Sequence, residues 1–275
     1  VGFDMAIDES QIDEVIFEIC KNANYARMDA GLVRKVVLQE TSKRKNKKEI
    51  VKAAKSKLHQ IGTVYLDSPK PLQIDCLTIS SEQSQNIAYQ KQWAIPYLQN
   101  HASTRERFDF VDEFYEQIIA ELSGVDKIID LACGMNPLFR PWMPISADVQ
   151  YSACDIFRDG IEIINGFFSA FHYQGEARIC DLTSQVPDCS GQVVFLLKTL
   201  PCLEQVEKGI GKRLLSQIKA DTLVISFPSK SLGGRNVGMQ QHYQAYLNES
   251  LESSSWQITT LNFFNETVYI LKGGK

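Results

Sequence analysis

The spacing of apolar and polar positions along the chain changes character near residue 104. Before it, apolar side chains recur at helical intervals, first as Ile12, Val15, Ile16, Ile19 and Cys20, then as Val33, Val36 and Val37, then as Ile50, Ala53, Ala54 and Leu58. Pro69, Pro71 and the Ser80-Ser81 pair mark a loop from about Ser68 to Gln83, and another helical stretch follows. Residues 1–103 are therefore expected to form a helical N-terminal domain. From Thr104 to Leu122, the placement of Phe108, Val111, Phe114 and Tyr115 predicts one long helix ending at Gly124. Short apolar runs then alternate with helical ones. Strands are predicted at Lys127–Leu131, Val149–Cys154, Glu176–Cys180, Val193–Leu197 and Thr222–Phe227, with helices near Asp159–Ala170 and Leu203–Ile218. That βαβ rhythm predicts a parallel, doubly wound sheet. Trp256–Leu261 and Thr267–Leu271 have no helix between them and predict an antiparallel hairpin. Residues 104–275 thus read as an α/β domain with a seven-stranded, mostly parallel, Rossmann-like sheet.

Composition narrows the class. Of the 275 residues, 44% are hydrophobic and 23% charged, and no apolar run approaches the roughly 20 residues of a membrane span. The opening Val1-Gly2-Phe3-Asp4 is not a basic segment leading into an apolar stretch. Seven widely spaced cysteines contain no Cys-x-x-Cys pair, which favours reduced thiols in a cytoplasmic protein over a disulfide framework or a metal site. The net charge is −4, yet Arg34 to Lys57 holds ten Lys/Arg against Glu40 and Glu49. That local +8 leaves −12 for the rest of the chain, the asymmetry of a phosphate-binding face on an acidic protein.

In open α/β sheets, ligands bind beyond the carboxyl ends of the strands. The predicted strands end in Asp130, Asp155, Asp181 and Lys198. The turn Asp130-Leu131-Ala132-Cys133-Gly134-Met135-Asn136-Pro137 holds one glycine and so lacks the Gly-x-Gly-x-x-Gly approach a dinucleotide pyrophosphate needs. S-adenosylmethionine has no phosphate to seat. Its amino-acid end could pack at Ala132 and Gly134, its ribose hydroxyls could donate to Asp155, about 20 residues on, and its adenine amino group to Asp181.

Four ordered segments are more specific. His101-Ala102-Ser103-Thr104-Arg105-Glu106-Arg107, the turn just described, Leu197-Lys198-Thr199-Leu200-Pro201-Cys202-Leu203-Glu204 and Ser226-Phe227-Pro228-Ser229-Lys230-Ser231-Leu232-Gly233 together resemble the aminoglycoside-resistance 16S ribosomal RNA methyltransferases, the Arm/Rmt group. The resemblance runs from Lys57-Leu58-His59 to the C-terminus and, more loosely, through the N-terminal helices. It implies a class I methyltransferase fold and methylation of N7 of a decoding-site guanine in the 30S subunit by a monomeric enzyme that touches no membrane. By motif, it also implies that Arg107 holds the cofactor carboxylate, that Ala132 and Gly134 hold the methionine part, and that Ile156 and Leu197 join Asp155 and Asp181 around the nucleoside. Lys198 falls near the transfer site as a positioning group, with no general base. Where the family often reads Gly-Asn-Glu, this chain has Phe264-Asn265-Glu266, and a different turn is expected because φ > 0 is costly for phenylalanine.

The candidate RNA contacts fall in two places. Lys43, Arg44, Lys45, Lys47, Lys48, Lys52, Lys55, Lys57 and His59 would dock folded rRNA through its phosphates. Lys230, Arg235 and Met239 flank or lie in the loop Gly233-Gly234-Arg235-Asn236-Val237-Gly238, which could close over the RNA, and Phe227 and Tyr243 are candidates to stack on an extruded base. Two other readings use the same residues: a methyltransferase of this fold with a small-molecule or protein substrate, which the basic segment argues against, and a catalytically silent RNA-binding module, which cofactor binding would exclude.

Overall fold

A computed structural model describes residues 8–66, 79–189, 193–229, 239–251 and 256–273. Helices α1 (Glu9–Cys20), α2 (Ala23–Ala26), α3 (Ala30–Thr41), α4 (Lys47–Ile61), α5 (Ser81–Gln85), α6 (Ile87–Gln99), α7 (Ala102–Arg107) and α8 (Val111–Glu121) precede the first strand. There follow β1 (Lys127–Leu131), β2 (Gln150–Asp155), α9 (Arg158–Ala170), β3 (Gly175–Ile179), β4 (Val193–Leu197), α10 (Leu200–Val206), α11 (Ile210–Gln217), β5 (Thr222–Pro228), α12 (Met239–Ser250), β6 (Gln257–Asn262) and β7 (Glu266–Lys272). Among the described residues, the sheet runs β3-β2-β1-β4-β5-β7-β6, with β7 antiparallel to both neighbours and the other pairings parallel. The order reverses between β1 and β4, which makes their carboxyl ends the switch point where such sheets open a crevice.

Alternation explains why these runs are strands. In β4, Val193, Phe195 and Leu197 join the core under α8 and α9, while Val194 and Leu196 join the opposite core under α10, α11 and α12. Burial on both faces requires an unbroken apolar run, and Val-Val-Phe-Leu-Leu supplies one. At the edge, β6 alternates toward solvent.

Two helices expected to be continuous are broken. The stretch Thr104–Leu122 divides into α7, a 3₁₀ turn at Phe108–Phe110, and α8. Phe108 packs on Phe139 and Trp142, whereas Phe110 stacks on Phe263, destinations a straight helix would not serve together. Leu203–Ile218 divides into α10, which ends at Val206, and α11, whose N-cap Gly209 has a φ of 81° that suits glycine. At the hairpin, Phe264 is not among the described non-glycine residues with positive φ. Phe263 is buried against Phe110 and Phe114, and Phe264 is left 78% exposed.

The helices before residue 103 serve two cores. Those of α1, α3 and α4 meet in their own cluster, whereas Ala94, Tyr97 and Leu98 of α6 belong to the core of the sheet. The first cluster is not separate from the sheet either, because Phe157, from the loop after β2, is buried within it. A backbone bridge joins Met28 to Phe157, the Asp29 N–H donates to the Ile156 carbonyl at 2.8 Å, and Arg27 pairs with Asp159 at 2.9 Å. Phe157→Ala should therefore destabilise by about 3 kcal/mol in urea unfolding, within the range for large aromatic truncations. Hydrogen exchange should show lost protection in α3 and α4 before the central strands.

Candidate active site

A cavity of about 850 Å³, including its open mouth, lies at the switch point. Ala132, Cys133 and Gly134 line it after β1, Asp155, Ile156 and Phe157 at and beyond the end of β2, Asp181 and Leu182 after β3, and Leu197, Lys198 and Thr199 at and beyond the end of β4. The sequence-predicted cofactor set, Arg107, Ala132, Gly134, Asp155, Ile156, Asp181, Leu197 and Lys198, is thus brought to one cavity. Leu32, Ile61, Gly62 and Tyr65 of the N-terminal helices also line it, and no motif had marked them. They could be found only once Phe157 was known to draw those helices onto the sheet.

Backbone strain marks both sides of the switch point. Ala132 at φ 50° ends β1 and Lys198 at φ 54° ends β4, each at a cost on the order of 1 kcal/mol for a residue with a Cβ. Gly134 also has positive φ, at 53°, and a Cβ there would stand 2.8 Å from the His101 ring. Glycine at this turn is thus needed for conformation and for space. Burial, followed by the charges of Lys198 and Arg107, lowers the His101 pKa to about 4, so the ring is neutral at pH 7. Its Nδ1 is buried without a partner.

One wall is a buried charge network. The Arg107 guanidinium donates from Nε to Glu266 Oε2 at 3.1 Å and from Nη2 to Oε1 at 2.7 Å, with the two side chains 1% and 0% exposed. Its Nη1 donates to Asn136 Oδ1 at 2.7 Å. Burial pulls the Glu266 carboxyl upward in pKa, but Arg107 and Lys198 outweigh it and hold the group below its ordinary value. Ser226 donates its hydroxyl to Glu266 at 2.5 Å and accepts the Lys198 N–H at 3.0 Å. Lys198 Nζ reaches Glu106 at 2.9 Å and Glu266 at 3.5 Å. Glu266, which stands at the altered hairpin and was given no role from the sequence, is the centre of this wall.

Three acids end successive predicted strands, two of them, Asp155 and Asp181, expected to face the ligand, and the structure gives each a different setting. Asp130 lies behind the cavity, accepting from Asn136 Nδ2 at 2.8 Å and Tyr151 Oη at 2.7 Å, and supports the turn from below. Asp155 Oδ2 accepts the Gly134 N–H at 2.8 Å and its Oδ1 accepts from Ile156 and Phe157. With roughly four lone-pair sites on a carboxylate, one is left for a ribose hydroxyl where two had been expected. Asp181 accepts the Thr183 N–H at 2.9 Å and the hydroxyls of Thr183 and Ser184, again leaving one site.

The donor set fits S-adenosylmethionine. The Arg107 guanidinium at the cavity wall suits a carboxylate, the orphaned His101 nitrogen suits an ammonium, Asp155 and Asp181 suit a hydroxyl and an amine, and Leu32, Ile61, Ile156 and Leu203 suit an apolar ring.

The RNA-contact candidates are divided. Lys43, Arg44 and Lys57 converge on buried Glu40, and Lys47 pairs with Glu14. Lys47, Lys48, Lys52 and Lys55 line a groove between α1 and α4 with Asn46, Glu18 and Val51. Lys45 is exposed beside it, and His59 Nδ1 lies 2.8 Å from Thr63 Oγ1. Phe227 is core, 1% exposed, and stacks on Tyr243 with ring centroids 4.2 Å apart, so neither presents an open face to a base. Lys230, Arg235 and the glycine-rich loop lie outside the described residues, and Met239 begins α12.

Glu266→Gln should leave Arg107 uncompensated and cost about 3–5 kcal/mol, the usual consequence of breaking a buried pair from one side, with a matching fall in thermal midpoint. Asp130 gives a pH signature. Burial raises its pKa to about 7 against an ordinary 3.8, so the folded state keeps a proton the unfolded state releases. Stability from this group is present below about pH 4 and lost as pH rises through 7. The thermal midpoint of the unmutated protein relative to Asp130→Asn should accordingly decline between those values, and a flat difference would refute the assignment.

Residues 21–270 match the family described as ribosomal RNA methyltransferase (FmrO). The 16S rRNA (guanine(1405)-N(7))-methyltransferase of Micromonospora rosea is 30% identical over 266 residues, covering 96% of this chain and 97% of that one. The protein of the same name from Serratia marcescens is 26% identical, covering 95% and 98%. The crystal structure of 16S rRNA methyltransferase RmtF in complex with S-adenosyl-L-homocysteine superposes with a TM-score of 0.78 at 26% identity, over 98% and 99% of the two chains. With a family match spanning most of its length and a cavity at the switch point lined by the residues its motifs mark, the chain belongs to the ribosomal RNA methyltransferase (FmrO) family.

Proposed function

We propose that this protein transfers the methyl group of S-adenosylmethionine to N7 of a guanine in the decoding site of 16S rRNA, within the 30S subunit, and so confers aminoglycoside resistance. The guanine is the one numbered 1405 in the names of its relatives. The observation that carries the reading is the convergence of a buried guanidinium, two strand-end carboxylates and an apolar wall in one cavity of an rRNA-methyltransferase family member.

S-adenosylmethionine supplies an electrophilic methyl group on a positively charged sulfur. The protein's residues do the rest by placement. Arg107, fixed by Glu266, orients a carboxylate, and Asp155 and Asp181 each offer their remaining acceptor site. The N-terminal side chains Leu32 and Ile61 exclude water from the nucleoside side. Lys198, held by Glu106 at the end of β4, stands as a positioning group beside the transfer position. Guanine N7 carries an in-plane lone pair and no proton, so no general base is required. Alignment is then the main source of rate, worth up to about 7–11 kcal/mol when it is complete. The product base has a fixed positive charge and one acceptor fewer, both unfavourable to a polycationic aminoglycoside.

The α1–α4 groove supplies the docking contacts. Incubation of the protein with labelled cofactor and either 30S subunits or naked 16S rRNA, followed by mapping of the modified base, should place the label at one guanine N7. Label on a protein or small molecule instead would refute the substrate. Paired Lys48→Glu and Lys52→Glu substitutions should weaken 30S binding and reduce the slope of log affinity against log salt by about 1 per lost phosphate contact, while S-adenosylhomocysteine affinity stays unchanged.

A further inference from the structure

The loop that carries Asp181 is fixed from the N-terminal helices. Lys35, on α3, reaches across to donate from Nζ to the Thr183 carbonyl at 2.9 Å, to Thr183 Oγ1 at 2.7 Å and to Ser184 Oγ at 3.4 Å. Thr183 and Ser184 in turn donate their hydroxyl protons to Asp181, at 2.6 and 2.7 Å. An ammonium has three donors and no acceptor. Both hydroxyls must therefore accept from Lys35, which turns their single protons toward the carboxylate. Arg213, on α11, adds a second cation to the Thr183 carbonyl at 3.0 Å.

We propose that Lys35 is a positioning residue of the cofactor site, setting the hydroxyls of Thr183 and Ser184 so that Asp181 stays oriented with one acceptor site facing the cavity. The inference rests on the proposed role of Asp181 toward S-adenosylmethionine and adds a residue that does not itself line the cavity but bonds to Thr183, which does. Because α3 packs on α4 through Val33, Val36, Val37, Ile50, Ala54 and Leu58, the same strut ties the adenine side of the site to the docking helices.

The test is calorimetric titration of the intact protein with S-adenosylhomocysteine in the absence of RNA, together with steady-state methylation of 30S subunits. Lys35→Met should raise the dissociation constant about tenfold, the scale of one lost charge-assisted hydrogen bond. KM for S-adenosylmethionine should rise in parallel, with kcat within about twofold at saturation. Lys35→Arg, also donor-only, should restore most of the affinity, and thermal midpoints of both variants should show that they fold. Thr183→Val should weaken binding similarly, and the double variant should be no weaker than the worse single one, since both break one relay. Affinity within twofold of the unmutated protein, strictly additive losses, or a fall in kcat at unchanged KM would each overturn the proposal. Failure of the unmutated protein to bind S-adenosylhomocysteine would instead overturn the cofactor reading itself, and this inference with it.

Discussion

The ion pair between Arg107 and Glu266 is the constraint on which the rest of the site depends. Taking two charges out of water costs several kcal/mol each, and mutual attraction offsets this only when the geometry is good and the remaining lone pairs are filled. Both conditions are met here by bidentate contact, by the Ser226 hydroxyl and by the Asn136 amide oxygen. Meeting them fixes much else. Arg107 can turn inward only if its helix ends there, which the 3₁₀ turn at Phe108–Phe110 achieves. Glu266 must begin β7, which sets the hairpin register against β5. Asn136 must present its oxygen to Arg107 and its nitrogen to Asp130, which shapes the turn after β1.

The same network places a positive group on either side of the switch point. Arg107 lies toward the β1 turn and Lys198 at the end of β4, with Glu266 between them. The left-handed conformation of Lys198 is strained, and its N–H bond to Ser226 helps hold it. A site of this kind is rigid because its charged groups are each other's partners. Its functional capacity is what remains: the positive charge of the Arg107 guanidinium at the cavity wall, one acceptor site on each of two aspartates, and the buried His101 nitrogen.

The N-terminal helices are part of this site as well as the carriers of the basic groove. Phe157 enters their core from the loop after β2, Met28 pairs with its backbone, and Leu32 and Ile61 line the cavity. A division at residue 103 does not describe this packing, since α6 belongs to the core of the sheet. The basic segment likewise divides by its partners. Some of its cations converge on buried Glu40, while others line the groove between α1 and α4.

What the sequence determined by itself is local or ordered along the chain. Period-2 and period-3.6 apolar spacing located the strands to within one residue at most ends, because burial on one or both faces of an element must be written into consecutive positions. Motif order marked Arg107, Gly134, Asp155, Asp181 and Lys198, which now share one cavity. Tertiary structure alone decided which acid faces inward. Asp130, Asp155 and Asp181 look alike at predicted strand ends, but Asp130 is claimed by Asn136 and Tyr151 behind the turn. It alone decided that Phe227 and Tyr243 stack on each other, and that Glu266 and Lys35 find partners 159 and 148 residues away. Pairing over such separations leaves no periodic trace. It is fixed by where the sheet brings its strand ends together and by the need of each buried charge for a partner.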